Sequence, residues 1–378
     1  MITLETLAQC GFRVSAIAPG SLDAAKNGGR IDHHVVPTPS ANFWYDAGFA
    51  NTLRALWQRT KNSGFLIRRL VKVRPDIVIC SELDVWLIAV SMKWLLGFKV
   101  IADLREVYDD RSLAFPRPIQ THMRGALRLA MKWLSRFTDE IIHVSPERQQ
   151  VYGYLAKPGV IVASYPDIDL FRSNTDSQRV KREESEENLV RAIHVGALRP
   201  TYASNELLDA MVIAARSCSQ LRFTVLGGIA GDLRNTKVLD ELSASGVLDL
   251  VQQVPFSEVV RRLHESDIGI NLVLPIDTAH YLAAPQKLYE YMAAGLPIVA
   301  ADVPTIHRVI TEADCGVLVD PSSPKDIAAA LTKLTQDAEL RKALGWNASQ
   351  AAEREYDWKP QAQRLCALVN SVAQRRTR

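Results

Sequence analysis

The sequence predicts an α/β protein built from two doubly wound domains of parallel strands. Three observations lead there. At 378 residues the chain exceeds what one hydrophobic core usually serves. Short β-branched runs alternate with longer helical periods almost throughout, the pattern of parallel sheets covered by helices on both faces. One polar, charged stretch, Arg172–Asn188, breaks the alternation.

In the first half the expected strands are Phe12–Ala18, Asp76–Cys80, Lys99–Asp103, Glu140–Val144 and Val160–Ala163. In the second they are Ala192–Val195, Arg222–Leu226, Leu248–Gln253, Ile268–Leu274, Pro297–Ala301 and Gly316–Val319. Between them lie segments with apolar residues at three and four spacing, such as Asn205–Arg216 and Ser257–Glu265. Val180 is the single aliphatic residue of Arg172–Asn188, too little to order that stretch, which reads as a linker. The expected division is residues 1–171, a linker at 172–188, a second domain at 189–355, and a closing segment at 356–378. Met1–Cys10 reads as a helix, so the first domain lacks the strand that normally opens such a fold.

Composition narrows the function classes. Cys10, Cys80, Cys218, Cys315 and Cys366 are odd in number and widely spaced. They suggest neither a disulfide framework nor a zinc site, and a reducing, cytoplasmic setting is expected. The longest apolar stretch, Val85–Phe98, is interrupted by Lys93 and is too short to cross a bilayer. No secretion signal is evident at the N-terminus. Residues 1–170 carry 21 Lys+Arg and 16 Asp+Glu, a balance of +5; the remainder carries 24 and 26, a balance of −2. That asymmetry is too mild for a nucleic-acid binder, yet suits a weakly basic face toward anionic lipid or a phosphorylated acceptor.

The stretch P-Q-K-L-Y-E-Y-M-A-A-G-L-P (Pro285–Pro297), followed by I-V-A-A-D-V-P, resembles the donor-binding signature of retaining glycosyltransferases of family 4. C-G-V-L-V-D-P (Cys315–Pro321), H-V-G-A-L (His194–Leu198), V-L-G-G (Val225–Gly228) and S-D-I-G-I-N-L-V-L-P (Ser266–Pro275) are similar at the family's expected places. R-P-D-I-V-I-C (Arg74–Cys80) and V-I-A-D-L-R-E-V-Y (Val100–Tyr108) match more loosely. The resemblance implies a GT-B fold, two Rossmann-like domains facing across a cleft. It implies transfer of a sugar, with retention, from a UDP- or GDP-sugar to a glycan or lipid-linked acceptor in polysaccharide or surface-glycan synthesis. No cofactor and no metal are expected.

The resemblance assigns donor binding to Glu290, Lys287, Gly196, Arg199 and Leu288. Physical chemistry gives the first two definite parts. Lys287 lies near a helix N-terminus, whose free N–H groups attract a pyrophosphate. Glu290 follows one turn later, placed to accept hydrogen bonds from ribose hydroxyls. The same spacing also suits an ordinary surface helix with an i, i+3 salt bridge. Gly196 lets backbone approach the ligand, and Gly227, Gly228 and Gly231 follow another strand end. On the acceptor side, Asp103, Arg105 and Glu106 follow a strand at the sheet edge where such folds bind ligands; a buried salt-bridge cluster is the plainer alternative.

Several positions depart from the family. The first member of its acidic pair falls on Ala283, and its arginine and lysine after the first strand of the second domain fall on Ala197 and Tyr202, with Arg199 a nearby substitute. The family histidine of the first domain falls on Arg105. These departures favour an alternative, a catalytically inactive relative that serves as partner or scaffold of another glycosyltransferase. A third possibility is another activity of the fold, such as a nucleotide-sugar epimerase or a phosphorylase. Finally, Arg124, Arg128, Lys132 and Arg136 repeat every four residues on a helix expected over Thr121–Phe137, with Met123, Leu127, Ala130, Met131 and Leu134 as its apolar side. Such a helix fits peripheral contact with an anionic membrane, here at its inner face, or simple packing with a solvated cationic edge.

Overall fold

The computed structural model describes residues 2–19, 31–36, 62–108, 117–172, 188–234 and 236–375. It divides into two compact units, residues 1–163 with 360–378, and residues 164–359.

The first unit opens with α1 (Ile2–Gln9) and β1 (Val14–Pro19), the strand expected at Phe12–Ala18. β1 pairs in parallel with β2 (Ile31–Val36), a strand the sequence did not suggest. Residues 62–73 form α2, followed by β3 (Ile77–Cys80), α3 (Leu83–Leu96), β4 (Lys99–Leu104) and α4 (Arg117–Phe137). Then come β5 (Glu140–His143), α5 (Pro146–Val151) and β6 (Val160–Ile161). Strands β3 to β6 lie side by side in sequence order, all parallel. β4 is buried along its whole length, as a central strand covered on both faces must be. Trp86 of α3 fastens this core: its ring is buried and its indole N–H donates to Thr138 Oγ1 at 2.8 Å.

The second unit contains α6 (Asp169–Arg172), β7 (Val190–Val195), α7 (Ser204–Ser217), β8 (Leu221–Leu226), α8 (Thr236–Ala244) and β9 (Leu248–Val251). It continues with α9 (Phe256–His264), β10 (Ile268–Asn271), α10 (Thr278–Tyr281), α11 (Gln286–Ala293), β11 (Ile298–Ala301) and α12 (Pro304–Ala313). β12 (Gly316–Val319), α13 (Pro324–Gln336) and α14 (Ala338–Glu355) complete it, before α15 (Trp358–Gln374) carries the chain into the first unit. The six strands are parallel in the order β12-β11-β10-β7-β8-β9. α7, α8 and α13 bury leucine and isoleucine side chains on one face of this sheet. α9, α11 and α12 bury theirs on the other, with Ala348 and Ala352 of α14. Both units are Rossmann-like, as the strand–helix alternation predicted.

Two expectations need correction, and a third lies outside the described residues. Residues 164–172 and 356–359 fall in the second unit rather than outside it, because Phe171 and Tyr356 are buried in its core and Trp358 N–H donates to Pro166 O at 3.0 Å. The linker expected at 172–188 lies outside the described residues except for its two ends. Cys10 and Cys366 form a disulfide across a separation of 356 residues, joining α1 to α15, so the reading of the cysteines as an unbridged set fails. Cys80, Cys218 and Cys315 are free and buried.

Candidate functional site

In the second sheet the chain runs outward from β7 through β8 to β9, then returns to β10 and builds the other side. The strand order therefore reverses between β7 and β10, the place where open parallel sheets bind ligands at the carboxyl ends of their strands. The backbone register between these strands ends at Gly269↔Ile193. Beyond it the Tyr291 hydroxyl fills the gap: it accepts from Val195 N–H at 2.8 Å and donates to Ile270 O at 3.2 Å. The Tyr291 side chain packs against β10, where a Cβ on Gly269 would come within 2.7 Å of its ring. This wedge anchors α11 to both strands at the reversal.

α11 is capped by Pro285, whose extended backbone starts the helix without a side-chain cap, so the first-turn N–H groups of Gln286 and Lys287 point out unsatisfied by side chains. Lys287, half-buried, places its Nζ 5.2 Å from the centroid of the Tyr202 ring, so Tyr202 supplies a π-face to this cation. Glu290 is only 8% exposed. Among the described residues the i, i+3 ion pair permitted by the spacing does not form. Desolvation lowers Lys287 to about 8, with Glu290 acting in the opposite sense. Desolvation raises Glu290 to about 7, with Lys287 opposing. A half-buried lysine and a buried carboxyl, both desolvated and not joined in an ion pair, are a feature of ligand sites rather than of surface helices.

Gly196 directly follows β7 with a φ of +115°, its N–H donates to Leu226 O at 2.7 Å, and an added Cβ would meet no atom within 4 Å. Open space in front of a strand-end glycine is what a bound phosphate or sugar needs. Arg199 is exposed on the same loop, its backbone N–H held by Ser204 Oγ at 2.8 Å. Leu288 differs from expectation. Its side chain is fully buried in the core and its N–H donates to Pro285 O at 3.0 Å, so it packs α11 instead of facing a ligand.

In the first unit, Asp103 at the end of β4 is 4% exposed and accepts from Arg105 Nε at 2.8 Å. Burial raises the Asp103 carboxyl, and the Arg105 charge and hydrogen bond pull it back down. Arg105 also donates to Thr3 Oγ1 of α1 at 3.1 Å. Glu106 accepts through its carbonyl from the Tyr152 hydroxyl at 2.7 Å. Its carboxylate acts on Arg148 of α5, a buried cation that sequence reasoning missed; S-P-E-R after β5 was its only signal. The pairing of Asp103 with Arg105 realises the salt-bridge alternative while leaving the Arg105 side chain 43% exposed.

Residues 175–351 match the family model described as glycosyl transferases group 1. That stretch of the second unit is similar to group 1 glycosyl transferases over just under half of the chain. The D-inositol 3-phosphate glycosyltransferase of Thermobispora bispora is 26% identical over 245 residues, covering 62% of this chain and 53% of that protein. The phosphatidyl-myo-inositol mannosyltransferase of Mycolicibacterium smegmatis is 34% identical over 86 residues, 23% of this chain and 22% of that protein. The chain thus spans about half the length of the relative that matches it over 245 residues. By structure, Anabaena HepE in complex with UDP-glucose superimposes with a TM-score of 0.71 at 16% identity, covering 98% of this chain and 95% of that one. Sucrose-phosphate synthase from Thermosynechococcus elongatus gives 0.70 at 13% identity, with 98% and 92% covered. The chain has the GT-B fold of these proteins.

Proposed function

We propose that the protein transfers a sugar, with retention, from a UDP- or GDP-sugar to a glycan or lipid-linked acceptor. The observation that carries this is α11: an uncapped helix start with Lys287, and Glu290 one turn on, both desolvated and unpaired at the β7/β10 reversal. Lys287 and the free N–H groups hold the diphosphate, and Glu290 accepts from the ribose hydroxyls. Neither step needs a metal or a cofactor. In the transfer, the bond from the anomeric carbon to the phosphate oxygen breaks, and a bond to the acceptor oxygen forms on the same face. The acceptor proton passes to the leaving phosphate oxygen, so no protein nucleophile is required, and the chain contributes position and electrostatics.

Arg105 orients the acceptor, with Asp103 setting its direction and Glu106 beside it. Arg105→Ala is expected to leave nucleoside diphosphate affinity unchanged while lowering transfer by about a hundredfold, the scale of a misplaced reactant. Transfer at the wild-type rate, read as nucleoside diphosphate released on adding acceptor, would remove Arg105 from the site.

The acceptor reading gains support from the outer surface of α3 and α4. On α4, Met131 and Leu134 are buried in the core, so that part of the apolar side packs on its own unit, the simpler of the two readings of this helix. Other residues are exposed instead: Leu129 at 70% and Trp133 at 50%, next to Trp94 at 70% and Leu95 at 76% on α3. Phe137 links them, its ring 4.8 Å from that of Trp133 and 6.4 Å from that of Trp94. Arg128, Lys132 and Arg136 are exposed on the same helix. Tryptophans edged by cations suit the headgroup zone of an anionic bilayer, where a lipid-linked acceptor is met. Among the described residues no helix is long and apolar enough to span that bilayer, and the proposed contact is peripheral. Vesicles containing phosphatidylserine should sediment the protein at low salt, and Trp94→Ser with Trp133→Ser should abolish this; wild type left in the supernatant refutes the contact.

A further inference from the structure

The segment after β10 brings a second polar group to the same site. Leu274 N–H donates to Thr201 O at 2.9 Å, tying this segment to the loop that follows β7. Asp277 caps α10, its Oδ1 accepting from His280 N–H at 2.8 Å. The same oxygen lies 2.7 Å from His280 Nδ1. That contact keeps the proton of the neutral ring on Nδ1 and leaves Nε2 with a free lone pair. Among the described residues Nε2 has no partner, and the side chain is 20% exposed. The His280 ring lies 6.4 Å from the Tyr202 ring, the ring that also neighbours Lys287.

We propose that His280, held by Asp277, binds the glycosyl group of the nucleotide-sugar by accepting a hydrogen bond from one of its hydroxyls. The inference rests on the donor reading of α11. A nucleotide-sugar is linear, running nucleoside, diphosphate, sugar. With the ribose at Glu290 and the diphosphate at Lys287, the sugar extends past Lys287 away from Glu290, toward the residues that precede α11. His280 is the polar side chain that the Asp277 cap presents there, and it shares Tyr202 with the diphosphate-binding lysine. An ordinary capped turn would need Asp277 but would leave position 280 open to other residues.

The test is a comparison of affinities by calorimetry. Wild type and His280→Ala are titrated with UDP and UDP-glucose, and with GDP and GDP-mannose. For the nucleotide the wild type selects, diphosphate affinity should stay within about twofold, and nucleotide-sugar affinity should fall about tenfold, the scale of one hydrogen bond. His280→Gln, whose amide oxygen can still accept, should recover part of the loss. Unchanged nucleotide-sugar affinity in His280→Ala overturns the proposal. So does an equal loss for the diphosphate alone, which would mark a merely structural turn. If wild type binds no nucleotide at all, the donor reading itself fails, and that outcome is distinct from both.

Discussion

Glu290→Ala is expected to weaken binding of the nucleoside diphosphate by about a hundredfold or more, since two charge-assisted hydrogen bonds to ribose disappear together. The loss should come without unfolding. Burial raises the Glu290 carboxyl from 4.5 to about 7, so the group favours the folded state only while protonated. Its contribution is present below pH 4.5 and is lost as pH rises through 7; above that, the ionised carboxylate costs up to about 3 kcal/mol. Removing it at pH 8 should therefore keep or raise the melting temperature while binding collapses. A structural helix residue would behave the other way, losing stability and binding in step. The same pair sets the pH range of binding. Below about 7 Glu290 is protonated and accepts poorly, and above about 8 Lys287 loses its charge. Affinity should be greatest between the two, and a flat profile from pH 6 to 9 would remove both groups from the site.

Opening the Cys10–Cys366 bond is expected to cost about 2–4 kcal/mol, because it closes a loop nearly as long as the chain. For a unit of this size that lowers the melting temperature by about 5–15 °C. The bond fastens α15 to α1, alongside non-covalent ties that survive reduction. Ala163 N–H donates to Gln361 Oε1 at 3.2 Å, and Arg364 donates to Ile161 O at 3.1 Å. Arg375 donates to Asp139 O at 3.0 Å. The helix should thus stay folded but loosen. Cys366→Ser and a reducing agent should lower the transition equally, and reductant should do nothing further to the variant. The unreduced protein, unfolded in denaturant, should titrate three thiols, those of Cys80, Cys218 and Cys315. Five thiols and a melt indifferent to reductant would contradict the bond.

Local patterns made most strands and helices legible, because a buried parallel strand needs a β-branched run and its covering helix needs apolar spacing at three and four. β2 escaped because Asp32, His33 and His34 interrupt its apolar residues, so I-D-H-H-V-V shows no clean pattern. Glu290 and Lys287 were legible from a contiguous stretch on one helix. Leu288 belongs to the same stretch, yet burial, which sequence proximity does not show, turns it into the core. The Tyr202 ring beside Lys287, the Tyr291 hydroxyl between β7 and β10, and the Asp277–His280 pair depend on segments brought together by the sheet reversal. The disulfide is the extreme case, since its two cysteines are 356 residues apart and no local spacing relates them.

The direct test of donor binding is a calorimetric titration of the purified wild-type protein with UDP, GDP and ADP at pH 7.5. Saturable binding of UDP or GDP with a one-to-one stoichiometry is the predicted result, and it names the base of the donor. No heat of binding from any of the three would contradict a nucleotide-sugar site at Lys287 and Glu290.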